Sequence, residues 1–520
     1  MNDINHDLAL YLGNRHLRSD LNNKLGSIDL GKRHAVRLSA TAPVAATVGG
    51  QHTIWLLANL LARQFAVIQE IELCLPKVPL QTGIALFGAE ENLPTTIART
   101  VELVAGSTMR VRLTEDPSVE VDAEIIVGLA KRLAKAPFRV GVLGSGWNLF
   151  VGDPDCVPDI VPAGRNPFGP YFAACIAAGE IFKWLRRLRE NRGHYIKSLN
   201  MSLWDYAQYG TWTELPSGEW PLSLKLRPLY LIGAGAVGQA VAAALAASGE
   251  LCGYATIIDG DQIEDTNLNR YLLAVQGDEQ VWKSELLAKY FRAGGFEVYP
   301  YCSDWPNYAY DSARPPQRND LQALEAEYRY RLILSCVDTN RARHAIQRFW
   351  PEYLMGGSTL ELGLSVAAYD MHSPYECLMC SNPVGPAIPS IEAIANELRQ
   401  LTHQGRHAWA EEHGADLQIL EDYLSNPQCG HLGEQEIAKF GNEDRGTNWS
   451  VGFVSVAAGT LLAAQLVKHS LLGSTAFPSN LGNTLRFNFL NPRPQWSKHC
   501  RRNKCECITN GKSDYGLLWP

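Results

Sequence analysis

The sequence predicts an α/β protein built from two successive units, each an open, mostly parallel sheet wrapped by helices. Three observations predict it. Short apolar strands alternate with small-residue helices in both halves of the 520-residue chain, as expected of an open parallel sheet. A glycine turn leads into a helix near residues 44–63, and another does so at 228–248. The stretch Phe172–Lys183 can be laid over Ala457–Lys468, both being small-residue helices that end in lysine after a glycine-rich entry, which suggests a duplicated unit. At about 150 residues per domain, the length allows roughly three to four domains.

In the first unit the Gly49-Gly50 turn opens a helix through Ile54–Ala62. Ile71–Leu75 reads as a strand with one charge, and Arg139–Leu143 as a more buried one ending in the turn Gly144-Ser145-Gly146. The Pro/Gly-rich passage Val161–Pro170 precedes a helix that runs through Lys183 into a basic turn, Arg186–Arg192. The second unit begins after Leu222 with the strand Pro228–Ile232, the turn Gly233–Gly238 and the Ala-rich helix Gln239–Ser248. Tyr254–Ile258 is the next strand, ending on Asp259, and Arg331–Val337 a later one, ending on Asp338. Pro389–Leu424 is charged, with helical periodicity and no strand, as an inserted helical subdomain would be, and Val451–Lys468 returns to an apolar helix. The expected division is 1–222, 223–388, an insert over 389–447, and 448–520 as the return of the second unit.

Lys and Arg number 47 against 54 Asp and Glu, a net charge of -7 spread along the chain. That predicts no broad footprint for nucleic acid, though a few local cations suffice for a nucleotide. The start, Met1–Asp7, has no cationic region followed by an apolar one, so no secretory signal is expected. Three charge-poor stretches, Leu38–Ala62, Leu229–Gly249 and Val451–Val467, are short or broken by Pro, Gly, Gln and Asn. A hydrocarbon core asks for about 20 predominantly apolar residues, so no membrane span is expected. Of twelve cysteines, five fall into the clusters Cys377/Cys380 and Cys500/Cys505/Cys507. Without an export signal, metal ligation or thiol chemistry in a reducing cytoplasm is favoured over a disulfide framework.

Gly233-x-Gly235-x-x-Gly238, between a strand and a helix, lets backbone approach a phosphate with helix N-terminal amides aimed at the anion. Asp259, 21 residues after Gly238 at the next strand end, suits ribose hydroxyls. These features alone fit an NAD(P)-binding oxidoreductase, a flavoprotein or an ATP user. The segment Asp259-Gly260-Asp261-Gln262-Ile263-Glu264-Asp265-Thr266-Asn267-Leu268-Asn269-Arg270, then Lys283 and Asp338, is more specific. Cutting ATP between its α and β phosphates needs cations for the pentavalent centre and departing pyrophosphate, and a carboxylate for the metal.

D-G-D-x-I-x-x-T-N-L-N-R after G-A-G-A-V-G, with Lys283, Asp338 and the C-x-x-C, resembles the ThiF/MoeB/HesA family, which includes the ubiquitin-activating enzymes. The likeness spans about residues 228 to 507. It implies two tandem Rossmann-like ThiF-type adenylation domains, the N-terminal one inactive, with a helical catalytic-cysteine insert and a zinc knuckle. It further implies that Gly233, Gly235 and Gly238 line the phosphates, that Asp259 holds the ribose with Asp261 among the nucleotide-binding residues, that Asn267, Arg270 and Lys283 contact the triphosphate, and that Asp338 positions Mg2+. Tyr271 departs from the glutamine the family usually has there, which predicts altered packing. The inactive copy is expected to lend a basic finger, Arg15 or Arg18, with no motif fixing which.

Cys377-Leu378-Met379-Cys380 has the spacing of half a tetrahedral zinc site. Five cysteines compete for four places; the family's second half commonly follows an Arg-Asn pair, so Arg502-Asn503 favours Cys505 and Cys507, with Cys500 spare, as ligands of a structural Zn2+. Cys429 lies in the polar turn Ser425–His431 after the insert's helices, where exposure and a neighbouring imidazolium or helix N-terminus favour thiolate. Cys175, Cys252 and Cys336 have apolar or small neighbours and read as packing residues.

The resemblance is greatest to activating enzymes of bacterial (Bil-type) ubiquitin-like operons of anti-phage defence. It implies adenylation of a ubiquitin-like protein's C-terminal carboxylate, a thioester on Cys429 and transfer to a ubiquitin-conjugating-type enzyme, by a pseudo-dimer within one chain. Only residues 508–520 follow Cys507, where eukaryotic relatives carry a ubiquitin-fold domain, so a conjugating enzyme is expected to use the insert or another surface. A sulfur-carrier or peptide adenylyltransferase without a thioester is the enzyme alternative, and a non-catalytic scaffold is disfavoured by the charged set.

Overall fold

Two eight-stranded sheets, one from each half of the chain, have the same strand order. They are seen in a computed structural model that describes residues 34–65, 67–81, 83, 86–115, 120–129, 136–186, 195–310, 331–384, 391–413, 415–425, 451–473, 482–509 and 511–519. The first sheet contains β1 (His34–Ala40), β2 (Ile68–Cys74), β3 (Arg110–Leu113), β4 (Ala123–Val127), β5 (Arg139–Ser145), β6 (Asn148–Gly152), β7 (Ser198–Ser202) and β8 (Gln208–Tyr209), in the order β3-β2-β1-β4-β5-β6-β7-β8. The second contains β9 (Leu224–Ile232), β10 (Leu251–Ile258), β11 (Phe296–Tyr301), β12 (Leu332–Ser335), β13 (Tyr353–Leu360), β14 (Gly363–Tyr369), β15 (Thr484–Asn488) and β16 (Asn491–Ser497), in the order β11-β10-β9-β12-β13-β14-β15-β16. In each sheet the first five strands in spatial order pair parallel and the rest antiparallel. The duplication suggested by the two lysine-ended helices is thus present in the topology, strand for strand.

The inner parallel strands β4 and β12 are buried along their whole length, which is why they read as short apolar runs rather than alternating ones, whereas the edge strand β3 is not. After the first strand of each sheet the chain enters a helix, Val48–Ala62 in one unit and Ala236–Ala246 in the other. The glycines expected to form a turn at 49 and 50 lie inside the first helix. Thr47 caps it, accepting the Gly50 N–H at 3.0 Å, so the turn ends earlier than the glycines suggest. The second helix starts at Ala236 rather than Gln239. β5 runs through Gly144 and Ser145 into a hairpin with β6, and β12 stops at Ser335.

Helices Phe168–Leu185 and Gly452–Leu472 join the two units. Their small residues permit close approach: across the units a Cβ on Gly179 would lie 2.7 Å from the Phe489 ring, and within the second unit one on Gly459 would lie 2.4 Å from Ala240 Cβ. Phe182 meets Phe453 with ring centroids 5.5 Å apart, and Phe172 meets Phe487 at 5.2 Å. One apolar core continues through both units. Gly452–Leu472 is long and apolar enough to cross a membrane by composition, but here 83% of its apolar window is buried in that core. The region expected to be a helical insert contains the helices Ile391–Gln400, His403–His413 and Leu417–Ser425. They pack on a small core of their own that includes Leu398, Leu420 and Tyr423.

Candidate active site

β9 lies between β10 and β12, with all three strands parallel. The crevice at their C-terminal ends is where open α/β sheets bind ligands. Gly233 follows β9 with φ +95°, and a Cβ there would lie 2.8 Å from the Cys336 backbone. A Cβ on Gly238 would lie 2.1 Å from Gly233 O. Both positions therefore require glycine. Gly235 caps the eleven-residue helix Ala236–Ala246, whose first amides and positive dipole end face the crevice.

Asp259, at the end of β10, accepts the Ala234 N–H on Oδ2 at 2.6 Å and the Asp261 N–H on Oδ1 at 2.9 Å. Burial pushes its carboxyl above the usual range, against the pull of Lys283 and these two amides. Asp261 pairs with Lys283, Oδ2 to Nζ 2.8 Å. Burial opposes the Lys283 charge, but Tyr271, Asp259 and Asp261 together hold its ammonium above the ordinary lysine range.

Arg270 Nη1 donates to Thr266 O at 2.6 Å and to Asn269 Oδ1 at 3.0 Å. Its guanidinium lies 5.1 Å from the Tyr271 ring centroid, and the Lys283 ammonium lies 5.6 Å from the same ring. The Tyr271 hydroxyl stands 3.5 Å from where a Gly235 Cβ would be. The residue that departs from the family pattern is thus shared by both cations and sits over the glycine turn. Asn267 is buried, its Oδ1 accepting the Glu264 N–H at 3.1 Å, so its carboxamide is engaged in its own turn. Asp338 is exposed three residues beyond β12. Nearby Arg343 donates to Val337 O at 2.9 Å and Asn340 Oδ1 at 2.8 Å. Burial lowers the pKa of Arg343, while the charge on Asp338 works against that shift.

Beside Asp259, Gly260 packs on Ser303, and a cleft of about 410 Å³ is lined by Tyr301, Ser303, Asn307 and Tyr310. No motif marks these four, nor Arg343. Among the described residues, the first unit has no such set at the equivalent place. The helical turn Ala42–Ala45 replaces the glycine turn, and Leu75 follows β2 where Asp259 follows β10. Cys429, Arg15 and Arg18 lie outside the described residues.

The sulfurs of Cys377, Cys380, Cys505 and Cys507 all lie within 4.8 Å of one another. Cys377 and Cys505 are 3.7 Å apart, and Cys380 and Cys507 3.6 Å. A tetrahedron with Zn–S arms of about 2.3 Å has edges of about 3.8 Å, so the donor set fits zinc in number, type and spacing. The Arg502 N–H donates to Cys380 Sγ at 3.3 Å, the kind of outer-shell contact that orients a ligating thiolate. Cys500 stands outside the group and is exposed. Cys175 and Cys336 are buried thiols whose pKa burial raises, that of Cys336 to about 12.

Fold and site together define a tandem α/β protein whose second unit carries the glycine turn and the charged residues around it. The chain belongs to the ThiF family, whose model matches residues 223–509. It is similar to the uncharacterized protein y4jF of Sinorhizobium fredii, at 24% identity over 493 residues, 89% of this chain and 86% of that protein. The adenylyltransferase and sulfurtransferase MOCS3 of Drosophila grimshawi is 26% identical over 178 residues, 34% of this chain and 36% of its own length. For the adenylyltransferase and sulfurtransferase uba4 of Aspergillus terreus the identity is 28% over 184 residues, 35% of this chain and 34% of its own. The chain thus spans about a third of the length of these two relatives. Among solved structures, E. coli MccB with MccA-N7isoASN matches at 15% identity and a TM-score of 0.35, over 54% of this chain and 67% of that one.

Proposed function

We propose that this ThiF-family adenylyltransferase activates a ubiquitin-like protein in two steps. First the C-terminal carboxylate oxygen attacks the α-phosphorus of ATP, the bond to the β-phosphate breaks, and pyrophosphate leaves an acyl-adenylate. The glycine turn holds the phosphates, Asp259 the ribose, and Arg270 and Lys283 meet the charge that builds on the transferring group. Mg2+ held through Asp338 would supply further neutralisation of that charge. In the second step the Cys429 thiolate attacks the acyl carbon, AMP leaves with its bonding pair, and the thioester passes to the cysteine of a conjugating enzyme. The proposed setting is cytoplasmic, in anti-phage defence.

The observation that supports the adenylating step is the convergence of Gly233, Asp259, Arg270 and Lys283 around one crevice, with Asp338 just beyond the adjoining strand. The reading is tested by mixing the chain with Mg-ATP and a ubiquitin-like protein from the same genome, followed by non-reducing gels and mass analysis. A thiol-sensitive adduct is expected with wild type and absent from Cys429→Ala and Asp338→Ala. Pyrophosphate exchange without an adduct in wild type would favour a second reading, adenylation of a sulfur carrier or peptide with no thioester. The names of the MOCS3 and uba4 relatives speak for that reading.

A further inference from the structure

Arg63 belongs to the first unit, yet its side chain is bonded mainly to the second. It follows the helix Val48–Ala62 and is 1% exposed. Nε donates to Asn59 Oδ1 at 2.8 Å, Nη1 to Leu268 O at 2.6 Å, and Nη2 to Leu272 O at 2.7 Å and Ala274 O at 3.0 Å. Asn59 Nδ2 donates to the same Leu272 carbonyl at 3.3 Å. Two further bonds hold the segment, from Gln276 N to Leu103 O at 3.0 Å and from Leu273 N to Gln239 Oε1 at 2.9 Å. The segment so held, 268–276, starts directly after Asn267 and carries Arg270 and Tyr271.

Among the described residues every acceptor of the guanidinium is neutral. Burying a cation against neutral acceptors is costly, and burial accordingly lowers the Arg63 pKa. A planar fork of donors is suited to fixing several carbonyls at set angles, which a lysine ammonium cannot reproduce.

We propose that Arg63 is a positioning residue for the nucleotide site: it clamps the backbone of 268–274 from the neighbouring unit and so sets where Arg270 and Tyr271 stand. The first unit, which among its described residues lacks the glycine turn and strand-end acid of the second, thereby completes that site. This inference rests on the adenylating reading for the identity of the ligand, but the clamp itself is measured without one.

The test compares the full chain with Arg63→Lys, which keeps the cation and loses the fork, by calorimetry with Mg-ATP and by hydrogen exchange. Displacing the phosphate-binding groups is expected to weaken Mg-ATP binding about tenfold. Amide exchange over 268–276 is expected to speed up by a similar factor, with exchange in the far half of the Gly452–Leu472 helix, residues 462–472, unchanged; its first turn packs on Arg63 and Arg270 and is left out of the comparison. A general loss of stability would move both regions together. Wild-type affinity in Arg63→Lys, or a loosened segment with no loss of affinity, overturns the proposal. Should Arg63→Lys fail to fold, Asn59→Ala decides. It leaves the three carbonyl bonds of Arg63 in place and is expected to give the same two changes to a smaller extent, and wild-type behaviour overturns the proposal. If the wild-type chain binds no Mg-ATP, the adenylating reading fails, and exchange over 268–276 alone decides whether Arg63 is a clamp.

Discussion

Lys183 and Lys468 make the same reach in opposite directions. Lys183 Nζ donates to Phe489 O at 2.9 Å, and Lys468 Nζ to Leu203 O at 2.9 Å and Trp204 O at 3.0 Å. Phe489 directly follows β15 and Leu203 directly follows β7, each the seventh strand of its sheet. The two units therefore meet as an isologous pair does, residue i on j and j on i, within one chain. The surroundings differ: Lys183 also pairs with Glu180 at 2.5 Å, while Lys468 lies 3.3 Å over the Tyr206 ring. Lys468→Met would leave two carbonyls without their donor and is expected to cost about 1–3 kcal/mol. Lys183→Met would also strand the buried Glu180 carboxylate and is expected to cost more, about 3–5 kcal/mol. Urea midpoints check this, and a smaller loss in Lys183→Met than in Lys468→Met would contradict it.

What the sequence revealed and what it hid follow from where each signal resides. Gly233 and Gly238 are legible because a Cβ at either strikes backbone, so the residue type itself reports the geometry. The choice of Cys505 and Cys507 over Cys500 comes from the Arg-Asn pair that precedes the second half in the family the chain resembles, and their sulfurs gather with those of Cys377 and Cys380. The Gly49-Gly50 pair misled because glycine also serves inside a helix where another chain segment presses close: a Cβ on Gly50 would lie 2.0 Å from Val44 O. Arg63 was invisible because its acceptors beyond Asn59 are main-chain carbonyls 205 to 211 positions away, and carbonyls leave no pattern in a sequence. Tyr271 showed as a departure from the family, but its place between Arg270 and Lys283 is a tertiary fact.

His52 predicts an acid-sensitive fold. Its ring is wholly buried and meets Tyr171 edge-on at 5.5 Å. Burial, with a smaller contribution from the Arg165 charge, holds its pKa at about 3. The unfolded chain takes up this proton below about pH 6.5, whereas the folded chain does not until about pH 3. Stability is therefore full above pH 6.5 and falls by about 1.4 kcal/mol per unit as the pH drops through that window. His52→Phe removes the titration. The stability difference between wild type and this variant, from urea midpoints at pH 7.5 and 4.5, is expected to shift by about 2–3 kcal/mol in the variant's favour at the lower pH. Parallel pH profiles would show that the imidazole does not stay neutral.

The four-sulfur group predicts stoichiometric metal. Purified chain is expected to carry one zinc per molecule by elemental analysis, and Cys380→Ser to lose it. Cys500→Ser is expected to keep it, because that sulfur stands outside the group. Chelation should loosen the segment around Trp350, Met371 and Tyr515, which packs on these cysteines, since metal binding at such sites contributes folding energy. Zinc retained in Cys380→Ser but lost in Cys500→Ser would reverse the ligand assignment.

Gly50 and Gly238 give a paired test of which unit holds the nucleotide. Each is the third residue of the helix that follows the first strand of its sheet, and a Cβ would lie 2.0 Å from Val44 O at one and 2.1 Å from Gly233 O at the other. Neither carbonyl is a flexible side-chain end, so alanine must displace backbone in both cases, at an expected cost of about 1–3 kcal/mol. The functional outcomes should differ. In Gly238→Ala the displaced carbonyl belongs to the phosphate turn itself, and calorimetric Mg-ATP binding is expected to be lost. In Gly50→Ala the displaced segment is the helical turn Ala42–Ala45, which has no Asp259 or Lys283 beside it, and Mg-ATP binding should persist at temperatures where the variant is folded. Loss of binding in Gly50→Ala with retention in Gly238→Ala would move the nucleotide site to the first unit.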